Sequence, residues 1–212
     1  SKRIIGRVGV PEALIPHFPT GTTDFGTASP VNGRRDNQGF EGLAQSPDGT
    51  RLFAMMQSAT IQDSSSGNEG RFNTRVLVYD ISSTSTPSAP IAQYVMQLPR
   101  IDDTASTTNG TVVNRTGAQS SITALSNTAL LVLARDGNGR GTPGAPPVFK
   151  SILLADLSNA TNLGNAYNAE NAAPAPNGVL QAAVTAISWT QALNMIGGLG
   201  SFTTEVAKFG LN

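Results

Sequence analysis

The sequence predicts an all-β protein that forms part of a β-propeller. Three observations indicate this fold. A hairpin pattern at residues 39–57 is followed by a strand pattern at 74–81, and the same outline returns at 121–136 and 150–157. The strand patterns are rich in β-branched and apolar residues, and turn residues separate them. A repeated unit of a hairpin and further strands is typical of a propeller blade.

Composition agrees with a loop-rich β protein and excludes several classes of function. The 212 residues carry 14 basic and 14 acidic side chains, so the net charge is zero. No run of Lys or Arg longer than two exists to neutralise successive phosphates, which argues against nucleic-acid binding. No apolar run approaches the roughly 20 residues that span a bilayer. The absence of cysteine leaves the redox compartment open.

The first part of the chain is predicted to contain a lead-in and one repeat. The lead-in, residues 1–38, holds a predicted strand at 3–10 and then a loop rich in Pro and Gly. The repeat at 39–99 begins with the central hairpin, whose turn is Ser46-Pro-Asp-Gly49. Its further strands are predicted at 74–81 and 91–98.

A second repeat is predicted at 119–161, and a tail follows at 162–212. Its strand at 150–157 echoes that at 74–81, because the final residues Asp80 and Asp156 lie 76 positions apart. Three insertions, at 58–73, 100–118 and 137–149, are predicted to be loops. Within the tail, residues 178–189 fit either a strand or a short helix.

Two repeats, a lead-in and a tail make about two to three blades, whereas a closed propeller has about four to eight. An incomplete propeller of two to three blades would leave sheet edges and faces exposed to solvent. We therefore expect residues 1–212 to be the N-terminal part of a single propeller domain. The remaining half of the propeller, a missing or separate chain segment, is the predicted partner. A small β-sandwich is the alternative fold.

Glu41 is the most informative candidate site residue. It lies between apolar residues in the middle of the first predicted strand, where a buried carboxylate needs a cation, an ion pair or water. The innermost strand of a blade lines the central channel, so Glu41 is a candidate ligand for Ca²⁺. An ion pair with Arg34, Arg35 or Arg135 is the alternative.

Arg34 and Arg35 immediately precede that strand and would lie at the mouth of the channel. Two guanidinium groups at this position could hold a phosphate through paired hydrogen bonds. The alternative is a solvated loop without a ligand.

Asp136 is a second candidate metal ligand, because residues 136–141 partly match a calcium-binding loop. Arg140 and Pro147 stand where such a loop needs oxygen ligands, which favours a simple turn.

His17 is the only histidine and no Gly-x-Ser-x-Gly motif occurs, so a serine hydrolase triad is not indicated. Trp189 and the pair Met55-Met56 are interpreted as core residues.

Three asparagines, Asn109, Asn114 and Asn159, begin N-glycosylation acceptor sequences in polar segments. Together they favour a glycoprotein that passes through a secretory pathway.

Several stretches resemble the phytase-like domain family, known as "esterase-like activity of phytase". They are residues 39–54 (GFEGLAQSPDGTRLFA), 74–80 (TRVLVYD) and 131–136 (LVLARD). Residues 9–16 (GVPEALIP) and 151–161 (SILLADLSNAT) are similar to secreted fungal members. The resemblance covers most of residues 4–161 and implies a secreted, extracellular β-propeller whose second half is absent from residues 1–212. The position that matches Glu41 in the second repeat falls near Ser121, so a cation site shared between blades lacks one ligand.

Two functional hypotheses follow. In the first, the protein is a metal-assisted hydrolase of phosphate or carboxylic esters, in which a cation held by Glu41 activates water and Arg34 and Arg35 stabilise negative charge. In the second, the propeller is not catalytic and binds a protein or polysaccharide partner through its loops. A third reading is that this part of the chain has no function without its other half.

Overall fold

The computed structural model describes residues 4, 6–22, 24–102, 114–138 and 147–196. These residues form two four-stranded antiparallel sheets and a two-stranded ribbon. Their only helical turns are two short 3₁₀ turns, Glu12–Leu14 and Pro176–Gly178. The all-β fold class is confirmed.

The first sheet contains four strands in sequence order, as expected for one blade. They are β1 (Phe40–Gln45), β2 (Arg51–Met56), β3 (Asn73–Asp80) and β4 (Ala92–Gln97). All four coincide with the strands that the sequence predicts, within one or two residues. The predicted hairpin therefore forms the first half of this sheet.

The turn between β1 and β2 is built as its residues indicate. Gly49 adopts a φ of +73°, a conformation that suits glycine, and its N–H donates to the carbonyl of Ser46 at 2.9 Å. The Asp48 carboxylate accepts from the Ser46 hydroxyl at 2.6 Å and from the Thr50 N–H at 3.0 Å. These bonds fix the register of the hairpin.

A small ribbon corrects the prediction that residues 100–118 form only a loop. It consists of β5 (Arg100–Ile101) and β6 (Arg115–Thr116). The strand predicted at 3–10 is also wrong, because described residues 6–10 form none. The segment lies across the first sheet instead, where the Tyr79 hydroxyl donates to the Gly9 carbonyl at 2.8 Å.

The second sheet also contains four strands. They are β7 (Ala118–Ala124), β8 (Ala129–Arg135), β9 (Lys150–Asp156) and β10 (Ser188–Asn194). The fourth strand lies within the predicted tail. Residues 188–189, for which strand and short helix were both possible, therefore belong to a strand. Between β9 and β10 the chain makes a long excursion, residues 157–187, that contains no strand of either sheet.

Matching bulges establish the repeat in three dimensions. The pairing of β1 with β2 shifts register at Glu41, and the pairing of β7 with β8 shifts at Ser120. A bulge places one extra residue on one strand and is a specific feature of a sheet. Glu41 therefore corresponds to Ser120, one residue before the Ser121 that the sequence alignment of the repeats suggests.

The ends of the third strands match as well. Asp80 accepts hydrogen bonds from the N–H and hydroxyl of Ser82, and Asp156 accepts the same two bonds from Ser158. Each carboxylate thereby closes the turn that follows its strand. The spacing of 76 residues between the two aspartates reflects this common turn.

The two sheets pack face to face around one apolar core. The first sheet contributes residues such as Phe53, Met55 and Val78, and the second contributes Leu130 and Leu153, all buried. Half-buried Trp189 packs at the margin of this core, and its indole N–H donates to the Gln97 carbonyl at 2.7 Å. The interpretation of Trp189, Met55 and Met56 as core residues is confirmed, and Met56 belongs to a second apolar cluster on the opposite face of the sheet.

That opposite face of the first sheet is covered by the chain itself. Leu14 and Val8 from the lead-in pack on it beside β2 and β3. The excursion covers the β4 side, where Leu163 and Val184 contact Val95. This covering removes both an apolar face and an exposed strand edge from solvent.

The outward face of the second sheet is only partly covered. It presents four aliphatic side chains from β8 and β9, namely Leu131, Leu133, Ile152 and Leu154. Leu154 is 40% exposed, and the other three are half-buried. We call these four residues the outward apolar face.

The first strands of the two sheets lie against each other. A Cβ atom placed on Gly42 of β1 would lie only 2.9 Å from Ile122 Cγ2 of β7. The two hairpin turns also meet, since Asn127 donates to the Asp48 carboxylate at 2.7 Å. Neighbouring sheets whose first strands adjoin are the arrangement of blades about a propeller axis, so the described residues form two blades of a partial propeller.

Replacing Gly42 with valine is expected to lower the free energy of unfolding by about 1–3 kcal/mol, because the side chain would overlap β7. Urea denaturation of the purified chain measures the loss. Leu43→Val, at a neighbouring side chain that is 67% exposed, is the control and should change stability little. Equal effects of the two substitutions would contradict the close contact of β1 with β7.

Candidate anion-binding site

Glu41 lies in the bulge of β1 and is exposed. The premise that its carboxylate is buried is therefore wrong, because β1 is an edge strand and the described residues leave this part of it uncovered. Within the described residues, no ion pair joins it to Arg34, Arg35 or Arg135. Calcium binding at Glu41 stays a prediction.

Arg34 and Arg35 point to different partners and do not form one paired site. The Arg34 guanidinium stacks 4.6 Å from the centre of the Phe25 ring. The Arg35 guanidinium donates to the Ala59 carbonyl at 2.9 Å and to the Ser64 hydroxyl. The Arg34 side chain thus packs within the loop before β1, whereas the Arg35 side chain contacts residues that follow β2.

Arg35 lies in an environment that disfavours positive charge. Burial, together with the nearby charge of Arg71, lowers the pKa of Arg35 from its usual value to about 10. The guanidinium remains charged at neutral pH. Arg35, Arg71 and Gln38 line an open cavity of about 400 Å³.

Asp136 holds a loop together and does not fit as a calcium ligand. Its buried carboxylate pairs with the Lys150 ammonium and accepts from the N–H groups of Asn138, Val148 and Phe149. Four donors occupy both oxygen atoms, and Lys150 already supplies the positive charge. This agrees with the interpretation as a turn, although residues 139–146 lie outside the described part of the chain.

No group of three or more His, Cys, Asp or Glu side chains that could hold a metal ion occurs among the described residues.

His17 lies on the surface of the lead-in, with its Nε2 atom 3.2 Å from Glu12 and its Nδ1 atom 3.6 Å from Glu170. The imidazole therefore packs between two carboxylates.

Three arginines instead converge on a cavity between the two blades. It lies where β2 and β8 end and β7 begins, and its volume is about 230 Å³. We call it the arginine cavity. Its polar lining includes the side chains of Arg71, Arg115, Arg135, Gln38, Gln57 and Gln119.

Among the described residues, the lining of the arginine cavity holds more basic than acidic side chains, although the whole chain is neutral. Asp136 is the only acidic residue in this described lining, and its carboxylate is paired with Lys150. Arg135 is held in place by bonds from its Nε to the Ser120 hydroxyl and from its Nη1 to the Asp136 carbonyl, both 3.1 Å. Arg71 Nε is buried and has no hydrogen-bond partner among the described residues. An anion would satisfy this group and offset the charge.

The order of residues along the chain does not reveal this site, because its arginines are far apart in sequence. Arg71 precedes β3, Arg115 begins β6 and Arg135 ends β8. One signal was present: Gln57, directly after β2, and Arg135, the last residue of β8, occupy equivalent positions in the two repeats. A polar residue at the same end of two repeated strands indicates a shared surface near the axis.

Comparison with known proteins identifies the family. Residues 1–195 match the model of the phytase-like family, described as "Esterase-like activity of phytase". The chain belongs to the phytase-like family. The resemblance found in residues 4–161 is confirmed and extends through β10.

A curated relative of this phytase-like chain is an uncharacterized secreted protein of Arthroderma benhamiae. The two are 29% identical over 228 residues, an alignment that covers 99% of this chain and 43% of the relative. The phytase-like chain thus spans less than half the length of that relative. No solved structure matches it.

The secreted relative supports an extracellular location for this phytase-like domain. No helix among the described residues has the length and apolar character needed to cross a bilayer. Of the three predicted glycosylation sites, Asn159 is exposed in a turn, Asn114 is half-buried, and Asn109 lies outside the described residues. Glycosylation stays a prediction.

Asp136→Asn is expected to destabilise the phytase-like domain by about 2–3 kcal/mol at neutral pH, because the buried Lys150 pair is lost. Although burial favours the neutral acid, the hydrogen bonds from Lys150, Val148 and Phe149 outweigh it and lower the pKa of Asp136. A lowered pKa stabilises the fold above the unfolded pKa of about 3.9, and this stabilisation is lost as the pH falls through the folded value. Urea denaturation at several pH values should show the two proteins converging below about pH 4. Asp36→Asn, at an exposed carboxylate in the loop before β1, is the control. A pH-independent gap between Asp136→Asn and the unmodified chain would contradict the assignment.

Proposed function

We propose that this secreted phytase-like domain binds the anionic group of a phosphate or carboxylic ester in the arginine cavity. One observation carries the proposal: Arg71, which lines the cavity together with Arg135, has a buried guanidinium N–H without a hydrogen-bond partner among the described residues. The anion predicted at Arg34 and Arg35 is thereby reassigned to Arg71, with Arg35 as its neighbour.

The chemistry of the lining supports anion binding. Guanidinium groups bind phosphate and carboxylate through two parallel hydrogen bonds, which are stronger than bonds between neutral groups. Arg135 is already oriented by Ser120 and Asp136, so little side-chain freedom is lost on binding. A bound anion would also reduce the repulsion between Arg35 and Arg71.

Binding of inorganic phosphate, measured by isothermal titration calorimetry at low salt, tests the proposal. Arg71→Met should weaken binding about tenfold or more, because a bond to a charged group contributes about 1.5–3 kcal/mol. Arg51→Met is the matched control, since Arg51 pairs with Asp80 at 3.1 Å and does not line the cavity. Absence of phosphate binding, or an equal loss in both variants, would overturn the proposal.

A more specific hypothesis is that the protein also hydrolyses the ester that it binds. The metal-assisted version of this step needs a cation at Glu41, which stays a prediction. Release of 4-nitrophenol from its phosphate and acetate esters tests for turnover. Turnover that Arg71→Met reduces would support a hydrolase, whereas phosphate binding without turnover would support the non-catalytic alternative.

We also propose that the outward apolar face packs against the remaining part of the same propeller. Aliphatic side chains on a sheet face are normally covered, and the equivalent face of the first sheet, which carries Phe53 and Met55, is covered by the second sheet. The relative is more than twice as long as the part of it that aligns with this chain, which is enough for further blades. Leu154→Lys should weaken association with a separately produced C-terminal half if this face is the contact.

A further inference from the structure

We infer that the arginine cavity takes an anion that also carries hydroxyl groups and is about the size of a monosaccharide, such as a sugar phosphate or a sugar acid. This inference rests on the proposed anion binding and adds the class of ligand. It is carried by two glutamine side chains rather than by the arginines.

Gln119 is completely buried, yet only one end of its amide is satisfied. Its Nε2 atom donates to the Met55 carbonyl at 2.8 Å. Its Oε1 atom is buried and has no hydrogen-bond partner among the described residues. Gln119 is also one of the residues that line the arginine cavity.

Gln57 lies beside Gln119 and, among the described residues, also has an unpartnered amide oxygen. The Gln119 N–H donates to the Gln57 carbonyl at 3.1 Å, so the two residues adjoin where the blades meet. The Gln57 Oε1 atom is also buried without a partner in the described part of the protein. Two unmet acceptors therefore lie in the same lining as the unmet donor of Arg71.

The main chain leaves room for this pair of acceptors. A Cβ atom on Gly42 would lie 3.1 Å from Gln119 Oε1, so a larger residue at position 42 would crowd the amide. By contrast, Gln38 lines the same cavity but its Oε1 atom accepts from the Ser58 hydroxyl at 2.8 Å. Gln38 is thus already satisfied and needs no ligand.

A ligand that meets all of these groups must combine two kinds of chemistry. Its anionic oxygens would accept from the arginines, and its hydroxyl groups would donate to Gln57 and Gln119. A buried acceptor left without a donor is unfavourable, so such hydroxyl groups would contribute affinity and specificity. The cavity volume of about 230 Å³ lies below the range of about 300–1,000 Å³ for drug-sized ligands, which limits the ligand to a small molecule.

Calorimetric titration of the whole chain with four probes tests the inference: glucose 6-phosphate, glucuronate, glucose and inorganic phosphate. We expect at least one of the two sugar anions to bind about tenfold more tightly than inorganic phosphate, and glucose to bind far more weakly. The preferred sugar anion identifies phosphate or carboxylate as the anionic group. Equal affinity for the sugar anions and inorganic phosphate would overturn the inference but leave the anion site intact. Loss of all binding would overturn both.

Substitution of the glutamines separates the hydroxyl contacts from the anion contacts. Gln57→Leu should weaken binding of the preferred sugar anion about tenfold and change phosphate affinity less than about twofold. Gln45→Leu, at an exposed glutamine of β1 outside the lining, is the control and should leave the preference unchanged. Gln119→Met provides a second test if it folds. An unchanged preference in Gln57→Leu would contradict the inference, whatever the state of Gln119→Met.

Discussion

Replacing Asp63 with leucine is expected to lower the free energy of unfolding by about 3–5 kcal/mol, because it leaves Arg75 charged and unpaired inside the protein. Both side chains are 0% exposed, and Arg75 Nε lies 2.9 Å from Asp63 Oδ2. The same carboxylate accepts from the Thr60 hydroxyl at 2.8 Å and from the Ala175 N–H at 3.2 Å. Urea denaturation of the purified variant measures the loss.

The pair also holds the excursion on the first sheet. Arg75 donates to the carbonyls of Tyr167 at 3.3 Å and Ala172 at 3.0 Å, both within the excursion. Asp63→Leu should therefore increase amide hydrogen exchange in residues 161–184 more than in β2 or β8.

A double-mutant cycle provides the control for this prediction. The variant that combines Asp63→Leu with Arg75→Met removes both charges and should be destabilised by less than the sum of the two single variants. Additive effects, or a loss below about 1 kcal/mol in Asp63→Leu, would contradict the buried pair as a stabilising contact between the first sheet and the excursion.

Phe53→Ala is expected to cost about 3–5 kcal/mol, because it removes a large side chain from the core between the two sheets. Phe53 lies on β2, is 0% exposed and belongs to the apolar cluster that both sheets share. The cavity left behind cannot close without moving one sheet towards the other.

Phe40→Ala is the matched control, since Phe40 lies on the neighbouring strand β1 and is 39% exposed. Its stability in urea should differ from that of the unmodified chain by far less than that of Phe53→Ala. Similar losses in the two variants would mean that the shared core is not where the two blades are joined.

The sequence was sufficient for most of the strands because their signals are local. Turn residues at Ser46–Gly49 and β-branched runs such as 74–80 act over a few residues, and the repeat of these signals revealed the blades. The route of the excursion could not be predicted in this way. Its position depends on Asp63 and Arg75, whose contacts with residues 167–175 span about 100 positions and follow no local pattern.

The proposed anion site lies away from the arginine pair at which the sequence predicted one. Adjacent arginines suggested an anion site at Arg34 and Arg35, yet Arg34 stacks on Phe25. The arginine cavity draws Arg71 and Arg135 from different blades, and only packing of the two sheets brings them to one lining. Glu41 drew attention because its neighbours are apolar, but hydrophobic neighbours do not bury a residue on an edge strand.

Anomalous diffraction from a crystal of the chain soaked in selenate tests anion binding in the arginine cavity most directly, because selenate is a tetrahedral dianion that can be located by its scattering. We expect an anomalous peak in the arginine cavity within hydrogen-bonding distance of Arg71, and no such peak in crystals of Arg71→Met. Selenate bound only at surface arginines such as Arg34 or Arg51, with an empty arginine cavity, would contradict the proposed site.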